Sequence, residues 1–362
     1  MALAISLGRR NLGQTSPNPS VGCVIVKNDV IVGRGYTAPS GRPHAETLAL
    51  EQAGSAAKGA TVYITLEPCS HEGKTPPCAH ALVKAGIKRA VIAAIDPDIR
   101  VNGKGISILE AAGIEVKVGV LSDQASLDHA GFFSSQSECR PWITLKLAAS
   151  IDGKIATARG DSKWITGSSA RHFVHNMRRK HDAIMVGSGT VISDDPSLSV
   201  RELGACIQPY RIVLNSNLDI PVKSNLTKKI HEQPVWIFHS NEVSEDRKSE
   251  WLEIGAKLFE CNVDNFGISI KDVMQNLSDK GITRLLCEGG GKLAASLIRS
   301  ELVDEIVTFH GGLTIGADGL PSIGNLGVCS LNEAKRWQLV RTQSFGTEVL
   351  NMWRPTDKYI EN

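Results

Sequence analysis

Short apolar runs alternate with longer segments of mixed polarity along residues 1–121 of the chain. Runs of strand length lie at 21–26, 30–33, 61–66, 89–95 and 114–118. Segments with helical spacing lie at 2–12, 44–53, 78–84 and 105–112. A glycine closes several of the helical segments, as expected at a helix end. Strands that alternate with helices predict an α/β layer structure with a partly parallel sheet.

A polar stretch separates this pattern from a second one. Residues 134–138 have no apolar period, and although Ser122 and Asp123 resemble a helix start, we predict a linker over 122–140. Beyond it, strands are predicted at 142–147, 183–186, 211–214, 235–238, 285–287 and 305–309, helices at 170–180 and 293–299, and an antiparallel pair at 337–340 and 348–353. The chain is therefore predicted to form two α/β domains, 1–121 and 141–362.

Composition narrows the functional classes without changing this picture. Charged residues make up 22% of the 362 residues, and the formal net charge is only +2, which argues against nucleic acid as a partner. No apolar run is long enough to span a bilayer, and the short apolar start is not arranged as a signal peptide. We expect a cytoplasmic protein without a membrane partner, in which the eight cysteines are thiols or metal ligands. Formation of a homo-oligomer is left open.

One histidine and two cysteines have the spacing of a catalytic zinc site. His44 opens a predicted helix, Cys69 follows a predicted strand, and Cys78 opens another predicted helix. One imidazole and two thiolates fill three corners of a tetrahedral Zn²⁺ site and leave the fourth to water. Glu46 follows His44 in the H-x-E pattern of zinc-dependent base deaminases. We predict that Glu46 takes a proton from the water and delivers it to the ring nitrogen and the leaving ammonia.

This motif departs from the general pattern in one respect. Base deaminases usually space their cysteines as C-x-x-C, whereas eight residues, 70–77, separate them here. Two alternatives stay open: one cysteine is a bystander, or His71 is a ligand. We interpret His71 as a substrate contact, Glu67 as a group that supports a ligand, and His80 as a surface residue. Iron is an alternative metal, although the softness of the ligands favours zinc.

The second predicted domain contains two glycine-rich turns. Residues 187–190 follow one predicted strand, and residues 288–291 follow another and open a helix. Backbone N–H groups at such a helix start can bind phosphate, although a plain tight turn is the alternative for each. The first strand of this domain is not followed by G-x-G-x-x-G, so a Rossmann site is not indicated. Two such turns in one domain favour a phosphorylated ligand.

Several blocks of the chain resemble the bifunctional riboflavin-biosynthesis deaminase/reductase family. They are PNPSVGCV at 17–24, PHAE at 43–46, TLEPCSH at 65–71, TPPC at 75–78, KLAASIDGK at 146–154, WITG at 164–167, DDPSL at 194–198 and EGG at 288–290. The long insertion between the cysteines is characteristic of that family, whose members usually carry a few more residues ahead of the first helix. The resemblance implies a cytidine-deaminase-like first domain that deaminates 2,5-diamino-6-ribosylamino-4(3H)-pyrimidinone 5′-phosphate. Asn18 is then expected to hold the pyrimidine.

The same resemblance implies a second domain that is similar in fold to dihydrofolate reductase. It implies NADPH-dependent reduction of the ribosyl group of 5-amino-6-(5-phosphoribosylamino)uracil to ribityl. The residues implied to contact NADPH are Ala148, Trp164, Thr190, Asp194, Gly289, Gly290 and Gly291. Those implied to contact the substrate are Ser162, Arg178, Leu198, Arg201 and Glu288, of which the arginines suit its phosphate. We also expect Lys146 to supply positive charge near the reacting ribose, but no proton donor stands out.

Two of these residues have a purely structural alternative, and the whole protein has alternative functions. Arg178 could belong to a solvated helix end, and Trp164 could be a core residue. An alternative function is a nucleic-acid base deaminase with a non-catalytic binding domain, against which the near-neutral charge argues. Another is a metabolite sensor, against which the intact set of metal ligands and carboxylate argues.

Overall fold

The computed structural model describes residues 1–71, 76–264 and 267–356. Residues 72–75, in the segment between the two motif cysteines, lie outside the described residues, as do residues 357–362 of the predicted second domain.

The chain forms two compact units, which are described separately. They are Met1–Pro141 with Gly281–Thr283, and Trp142–Lys280 with Arg284–Asn362. Most of the predicted linker 122–140 is helical and belongs to the first unit. The domain boundaries themselves stay a prediction.

A five-stranded mixed sheet forms the centre of the first unit. Its strands are β1 (Gly22–Lys27), β2 (Val30–Tyr36), β3 (Thr61–Ile64), β4 (Arg89–Ile92) and β5 (Glu115–Val118). Their order across the sheet is β2-β1-β3-β4-β5. Strand β1 is antiparallel to β2 and β3, whereas β3, β4 and β5 run parallel. The parallel strands therefore end at one edge, where the turn that carries Cys69 begins.

Among the described residues, α-helices pack around this sheet. They are α1 (Ala2–Gly8), α2 (Ala45–Ala53), α3 (Cys78–Lys84), α4 (Lys104–Ala111) and α5 (Ser122–Ser137). Ile64 and Ile92 of the sheet pack with Leu82 and Leu109 of the helices in one buried core. In α5, Ala125 and His129 are among the few buried positions. Because they are sparse, small or polar, the sequence shows no apolar period there and indicates a linker instead.

The second unit is built on a nine-stranded sheet in the order β11-β10-β9-β8-β14-β6-β15-β18-β17. The strands of this unit are β6 (Trp142–Ser150), β7 (Lys154–Ala156), β8 (Ala183–Gly187), β9 (Tyr210–Leu214), β10 (Val235–Ser240), β11 (Lys257–Cys261), β12 (Val263–Asp264), β13 (Gly267–Ile268), β14 (Arg284–Cys287), β15 (Glu305–Gly311), β16 (Leu320–Pro321), β17 (Trp337–Phe345) and β18 (Glu348–Pro355). The run from β11 to β15 is parallel. The predicted closing pair, β17 and β18, is antiparallel.

Helices accompany the parallel strands and confirm the expected α/β fold class. They are α6 (Ser168–Arg179), α7 (Ser188–Asp194), α8 (Glu245–Glu253), α9 (Ile270–Asp279) and α10 (Gly291–Arg299). Fully buried Ile184, Val213 and Ile237 on neighbouring strands pack with Trp251 of α8. None of the helices in the described part of the chain has the length and apolar character that crossing a membrane requires.

Candidate active sites

The first unit brings His44, Cys69 and Cys78 together around one point. His44 is the residue before α2, Cys78 is the first residue of α3, and Cys69 lies in the turn between β3 and α3. The imidazole Nδ1 lies 3.3 Å from the Cys78 Sγ and 3.7 Å from the Cys69 Sγ. All three ligand atoms lie within 4.8 Å of one another.

These distances fit a tetrahedral zinc site. Zinc–sulfur and zinc–nitrogen bonds of about 2.3 and 2.0 Å at a tetrahedral angle separate the two ligand atoms by about 3.5 Å. The two nitrogen–sulfur distances lie on either side of that value. The backbone N–H of Cys78 also donates to the Cys69 sulfur over 3.3 Å, which orients the thiolate. His71 is not part of this group, so the arrangement favours both cysteines over the alternative with His71 as a ligand.

The protonation states around this point suit metal binding and proton transfer. Glu46 is only 4% exposed, and burial, followed by the charge of Cys69, raises its pKa to about 7. Hydrogen bonds from the Cys78 thiol and from His44 lower the pKa of Cys69 to about 4, and the same sharing raises the pKa of Cys78. A thiolate is the form that binds metal, and a carboxyl group with a pKa near neutrality can both accept and donate a proton.

Asn18 lies on the segment that leads to this site. Its Nδ2 donates to the Gly41 carbonyl over 2.9 Å, in the turn that precedes His44. Gly41 has a φ of +85°, and a methyl group there would lie 2.6 Å from the Asn18 Nδ2. The glycine therefore lets the two backbone segments approach. His80 is exposed, as expected for a surface residue.

In the second unit, polar residues collect at the carboxyl ends of three neighbouring parallel strands. Strand β14 lies between β8 and β6, and Cys287, its last residue, is paired with Leu145 of β6. Glu288 therefore emerges beside Lys146, and β8 runs directly into α7 on the other side. In open α/β sheets the carboxyl ends of the strands are the usual place for a ligand.

Glu288 binds two cations at this edge. Its carboxylate forms a bidentate ion pair with Arg178, over 2.6 and 3.0 Å, and lies 3.9 Å from the Lys146 Nζ. The three side chains are between 7% and 17% exposed, so Arg178 does not belong to a solvated helix end. Burial alone would raise the pKa of Glu288, but Arg178, and then Lys146, hold it at about 2. Burial lowers the pKa of Lys146.

The remaining residues expected to contact substrate are placed less uniformly. Leu198 is 2% exposed, its side chain belongs to an apolar core cluster, and its carbonyl accepts a hydrogen bond from the Gln233 Nε2 over 3.1 Å. Arg201 is exposed, whereas Ser162 is half-buried. Ala148, which is expected to contact NADPH, is half-buried on β6, where it packs against another apolar cluster.

The three glycines after β14 have different surroundings. A methyl group on Gly290 would find its nearest neighbour, the Thr190 Oγ1, at 3.9 Å. On Gly291 it would lie 2.5 Å from the Pro321 carbonyl oxygen, and on Gly289 it would lie 2.6 Å from a side-chain atom of Leu293. Gly290 is therefore the position with room for a methyl group in ordinary van der Waals contact, whereas the other two allow close packing of the protein on itself.

The neighbouring turn after β8 is open as well. A methyl group on Gly187 or Gly189 would meet no atom within 4 Å. This turn leads into α7, which contains Thr190 and ends at the exposed Asp194. Two open glycine turns on adjacent strands fit a ligand with several phosphate groups, such as a dinucleotide.

Trp164 is a surface residue, so the core alternative for it is wrong. Its side chain is 69% exposed, and the Arg171 guanidinium lies over its ring at 4.4 Å from the ring centre. Arg171 also donates to the Thr166 carbonyl over 2.6 Å, which ties the ring to the start of α6.

Sequence reasoning does not assign Asp152, which organises the neighbourhood of the glycine turn. Its carboxylate accepts backbone N–H groups of Gly316 and Ile315 over 2.7 and 3.1 Å. The segment that follows passes over Gly291, whose carbonyl accepts the Gly324 N–H over 2.8 Å. An Asp-Gly pair directly after a strand is the sequence signal, but it indicates only a turn.

Comparison with known proteins identifies both parts of the chain. Residues 141–351 match the family described as the RibD C-terminal domain, and residues 1–94 match the cytidine and deoxycytidylate deaminase zinc-binding region. The riboflavin biosynthesis protein RibD of Aquifex aeolicus is 41% identical over 97% of this chain and 96% of its own length. The chain belongs to the RibD family. Its resemblance to riboflavin-biosynthesis deaminase/reductases is thereby confirmed.

Solved RibD structures have the same fold. Acinetobacter baumannii RibD superposes with a TM-score of 0.88 at 36% identity, over 98% of this chain and 97% of that chain. A Thermotoga maritima protein, described as a diaminohydroxyphosphoribosylaminopyrimidine deaminase/5-amino-6-(5-phosphoribosylamino)uracil reductase, superposes with a TM-score of 0.86 at 32% identity over the same shares. The expected pairing of a deaminase-type and a reductase-type α/β domain is confirmed.

Proposed function

We propose that this member of the RibD family is a bifunctional enzyme of riboflavin biosynthesis, with a zinc-dependent deaminase in the first unit and an NADPH-dependent reductase in the second. The observation that carries the proposal is the convergence of His44, Cys69 and Cys78 beside the buried Glu46. The substrates follow from the likeness to the Thermotoga maritima enzyme: first the phosphorylated diaminopyrimidine, then the phosphoribosylaminouracil. A nucleic-acid base deaminase has no need of a reductase-family second domain.

In the deaminase, three residues hold the metal and one moves protons. His44, Cys69 and Cys78 are the proposed ligands of a zinc ion, which supplies an activated water for attack on the carbon that bears the amino group. Glu46 would take one proton from the attacking water for the ring nitrogen, and then a second from the added hydroxyl group for the departing amino group. Its burial keeps bulk water away from this transfer, and its pKa of about 7 allows both directions. Asn18 is proposed to hold the pyrimidine.

In the reductase, the protein mainly positions two ligands. NADPH supplies the hydride. Its proposed contacts are Ala148, Trp164, Thr190, Asp194, Gly289, Gly290 and Gly291. The absence of any atom within 4 Å of a methyl group on Gly187 or Gly189 supports a phosphate position beside them. Lys146, held beside Glu288, is proposed to place positive charge near the reacting ribose.

The proposed substrate contacts of the reductase differ in how far solvent reaches them. They are Ser162, Arg178, Leu198, Arg201 and Glu288. Arg178 is already paired with Glu288, so the pair together presents a fixed polar surface. The exposed Arg201 is the guanidinium better placed to accept the substrate phosphate from solvent.

One assay on the purified, zinc-loaded protein tests both halves. The diaminopyrimidine ribosyl phosphate is supplied with and without NADPH, while ammonia release and NADPH absorbance are followed. We expect ammonia without NADPH, and NADPH consumption only after deamination. Ammonia without any NADPH consumption would contradict the reductase assignment, and no ammonia at all would contradict the deaminase assignment.

We also propose a cytoplasmic location and leave self-association as a prediction. All eight cysteines are free thiols, which suits a reducing compartment. Cell fractionation tests the location, and light scattering of the purified protein tests whether it forms a homo-oligomer.

A further inference from the structure

Glu67 is a buried carboxylate that the proposed chemistry does not use. It is 3% exposed. Its Oε1 accepts the backbone N–H groups of Gly105 and Ile106 over 2.9 and 3.2 Å. Its Oε2 accepts those of Gly103 and Asp96 over 3.0 and 3.3 Å. Four donors to a single carboxylate compensate the cost of burying a charge and tie Glu67 to the first turn of α4 and to the loop before it.

The same contacts lie next to the segment that carries Cys69, whose carbonyl also accepts the Ala79 N–H over 3.2 Å. Strand β3 itself ends at Ile64. The backbone N–H of Glu67 donates to the Ala94 carbonyl over 2.9 Å. On its other side, a methyl group on Gly105 would lie only 2.1 Å from the Pro68 carbonyl oxygen. Helix α4 therefore packs directly against the backbone between Glu67 and Cys69.

We propose that Glu67 is a positioning residue for the metal site, which fixes the Cys69 sulfur by tying its turn to α4. Metal ligands need supporting groups that hold them at bonding distance, and such groups are often remote from the metal itself. A carboxylate suits this task because it accepts from several amides at once and sits at the N-terminal, positive end of the helix. The inference rests on the proposed function only in taking Cys69 as a zinc ligand.

The test is the affinity of the full-length protein for Zn²⁺, measured by competition with a chromophoric chelator. In Glu67→Gln one acceptor oxygen becomes an NH₂ group that faces backbone N–H donors. We expect the affinity for Zn²⁺ to fall by about 10- to 100-fold. Glu110→Gln is the matched control, because it removes one exposed carboxylate from the same helix, and it should bind Zn²⁺ like the parent.

Two further readouts separate positioning from general stability. The visible spectrum of the Co²⁺-substituted protein reports the thiolate ligands, and we expect Glu67→Gln to change it even at saturating Co²⁺. Gly105→Ala keeps the carboxylate but pushes α4 away from Pro68, so it should change affinity and spectrum in the same direction. If Glu67→Gln does not fold, the Zn²⁺ affinity and Co²⁺ spectrum of Gly105→Ala test the proposal in its place.

Parent-like Zn²⁺ affinity and an unchanged Co²⁺ spectrum in Glu67→Gln would overturn the inference, even if the metal-free variant melts at a lower temperature. Failure of the proposed function is a different result. In that case the parent protein binds Zn²⁺ but releases no ammonia, whereas the effect of Glu67→Gln on metal affinity is still measurable.

Discussion

The deaminase and reductase units assemble their sites over very different lengths of chain. The proposed zinc ligands and Glu46 all lie between His44 and Cys78, whereas the proposed reductase contacts run from Lys146 to Gly291. A metal requires its ligands at fixed short distances, so a local motif with tight spacing is enough to specify it. The reductase site depends on strand order instead, because β8, β14 and β6 are neighbours in the sheet but not along the chain.

The two sites also treat buried charge differently. Glu46 is poised near neutrality, with a pKa of about 7, whereas Glu288 is held ionised by Arg178 and Lys146, with a pKa of about 2. A carboxyl group that must exchange protons works best near the ambient pH. One that is permanently charged orients cations. The first site is therefore suited to proton transfer, and the second to positioning ligands around a hydride transfer.

The largest effect that tests this contrast is expected from Glu46→Gln. The amide cannot shuttle a proton, so kcat for ammonia release should fall by about 10²- to 10⁴-fold. Zinc content and reductase activity should stay at the level of the parent protein. Glu51→Gln, an exposed position on the same helix, is the control. A Glu46→Gln protein that still released ammonia at the parental rate would remove Glu46 from the mechanism.

Glu288 should make the stability of the second unit depend on acid pH. Its folded pKa of about 2 lies below the ordinary value for glutamate, so its stabilisation is complete above about pH 4.5 and is lost as the pH falls towards 2. The shift corresponds to a contribution on the order of 3 kcal/mol to the free energy of unfolding. All six tryptophans lie in this unit, so urea unfolding followed by tryptophan fluorescence reports it.

In Glu288→Gln, Arg178 and Lys146 would be left buried without their counter-ion. We expect a loss of about 3 kcal/mol at pH 7 that shrinks towards pH 2. Glu250→Gln, at an exposed position, should unfold like the parent at every pH. If the stability of Glu288→Gln changed with pH in the same way as that of the parent protein, the carboxylate would not be the source of the acid sensitivity.

The sequence predicts most of the fold because the spacing of apolar residues marks the elements and glycines mark the ends of several helices. Besides α5, it leaves out the helices α7, α8 and α9, of which α8 and α9 are missed for different reasons. In α8 only Trp251 is buried, so no period exists to find. In α9, Ile270, Val273, Met274 and Leu277 are buried at helical spacing, which is a signal that the sequence does contain.

The candidate sites divide in the same way. The short spacing from His44 to Cys78 predicts a convergence that the fold then provides. The ion pair between Arg178 and Glu288 cannot be predicted, because their neighbourhood depends on sheet order and both residues look like independent ligand contacts. Nor does a run of three glycines reveal at which of them the structure leaves room for a side-chain methyl group.

That last distinction gives a smaller but sharper test. Gly290→Ala points a methyl group into the space beside Thr190, so the KM for NADPH should rise about tenfold, or about 1.4 kcal/mol, with little loss of stability. Gly291→Ala collides with the Pro321 carbonyl and should lower stability by about 1–3 kcal/mol. Steady-state kinetics and urea unfolding measure the two. An unchanged KM in Gly290→Ala would place the cofactor elsewhere.

The smallest expected effect concerns Trp164, which distinguishes a ligand contact from surface packing. Its stacking with Arg171 is exposed and should contribute about 0.5–1 kcal/mol to stability. Arg171→Gln removes that contact and the hydrogen bond to the Thr166 carbonyl but keeps the ring, whereas Trp164→Ala removes the contact and the surface offered to NADPH. Arg171→Gln should therefore lose at least as much stability as Trp164→Ala, but only Trp164→Ala should raise the KM for NADPH, by a few-fold. Equal KM values in the two variants would mean that the ring packs against Arg171 and does not contact NADPH. The proposed cofactor contacts would then be limited to the glycine turns, Thr190, Asp194 and Ala148.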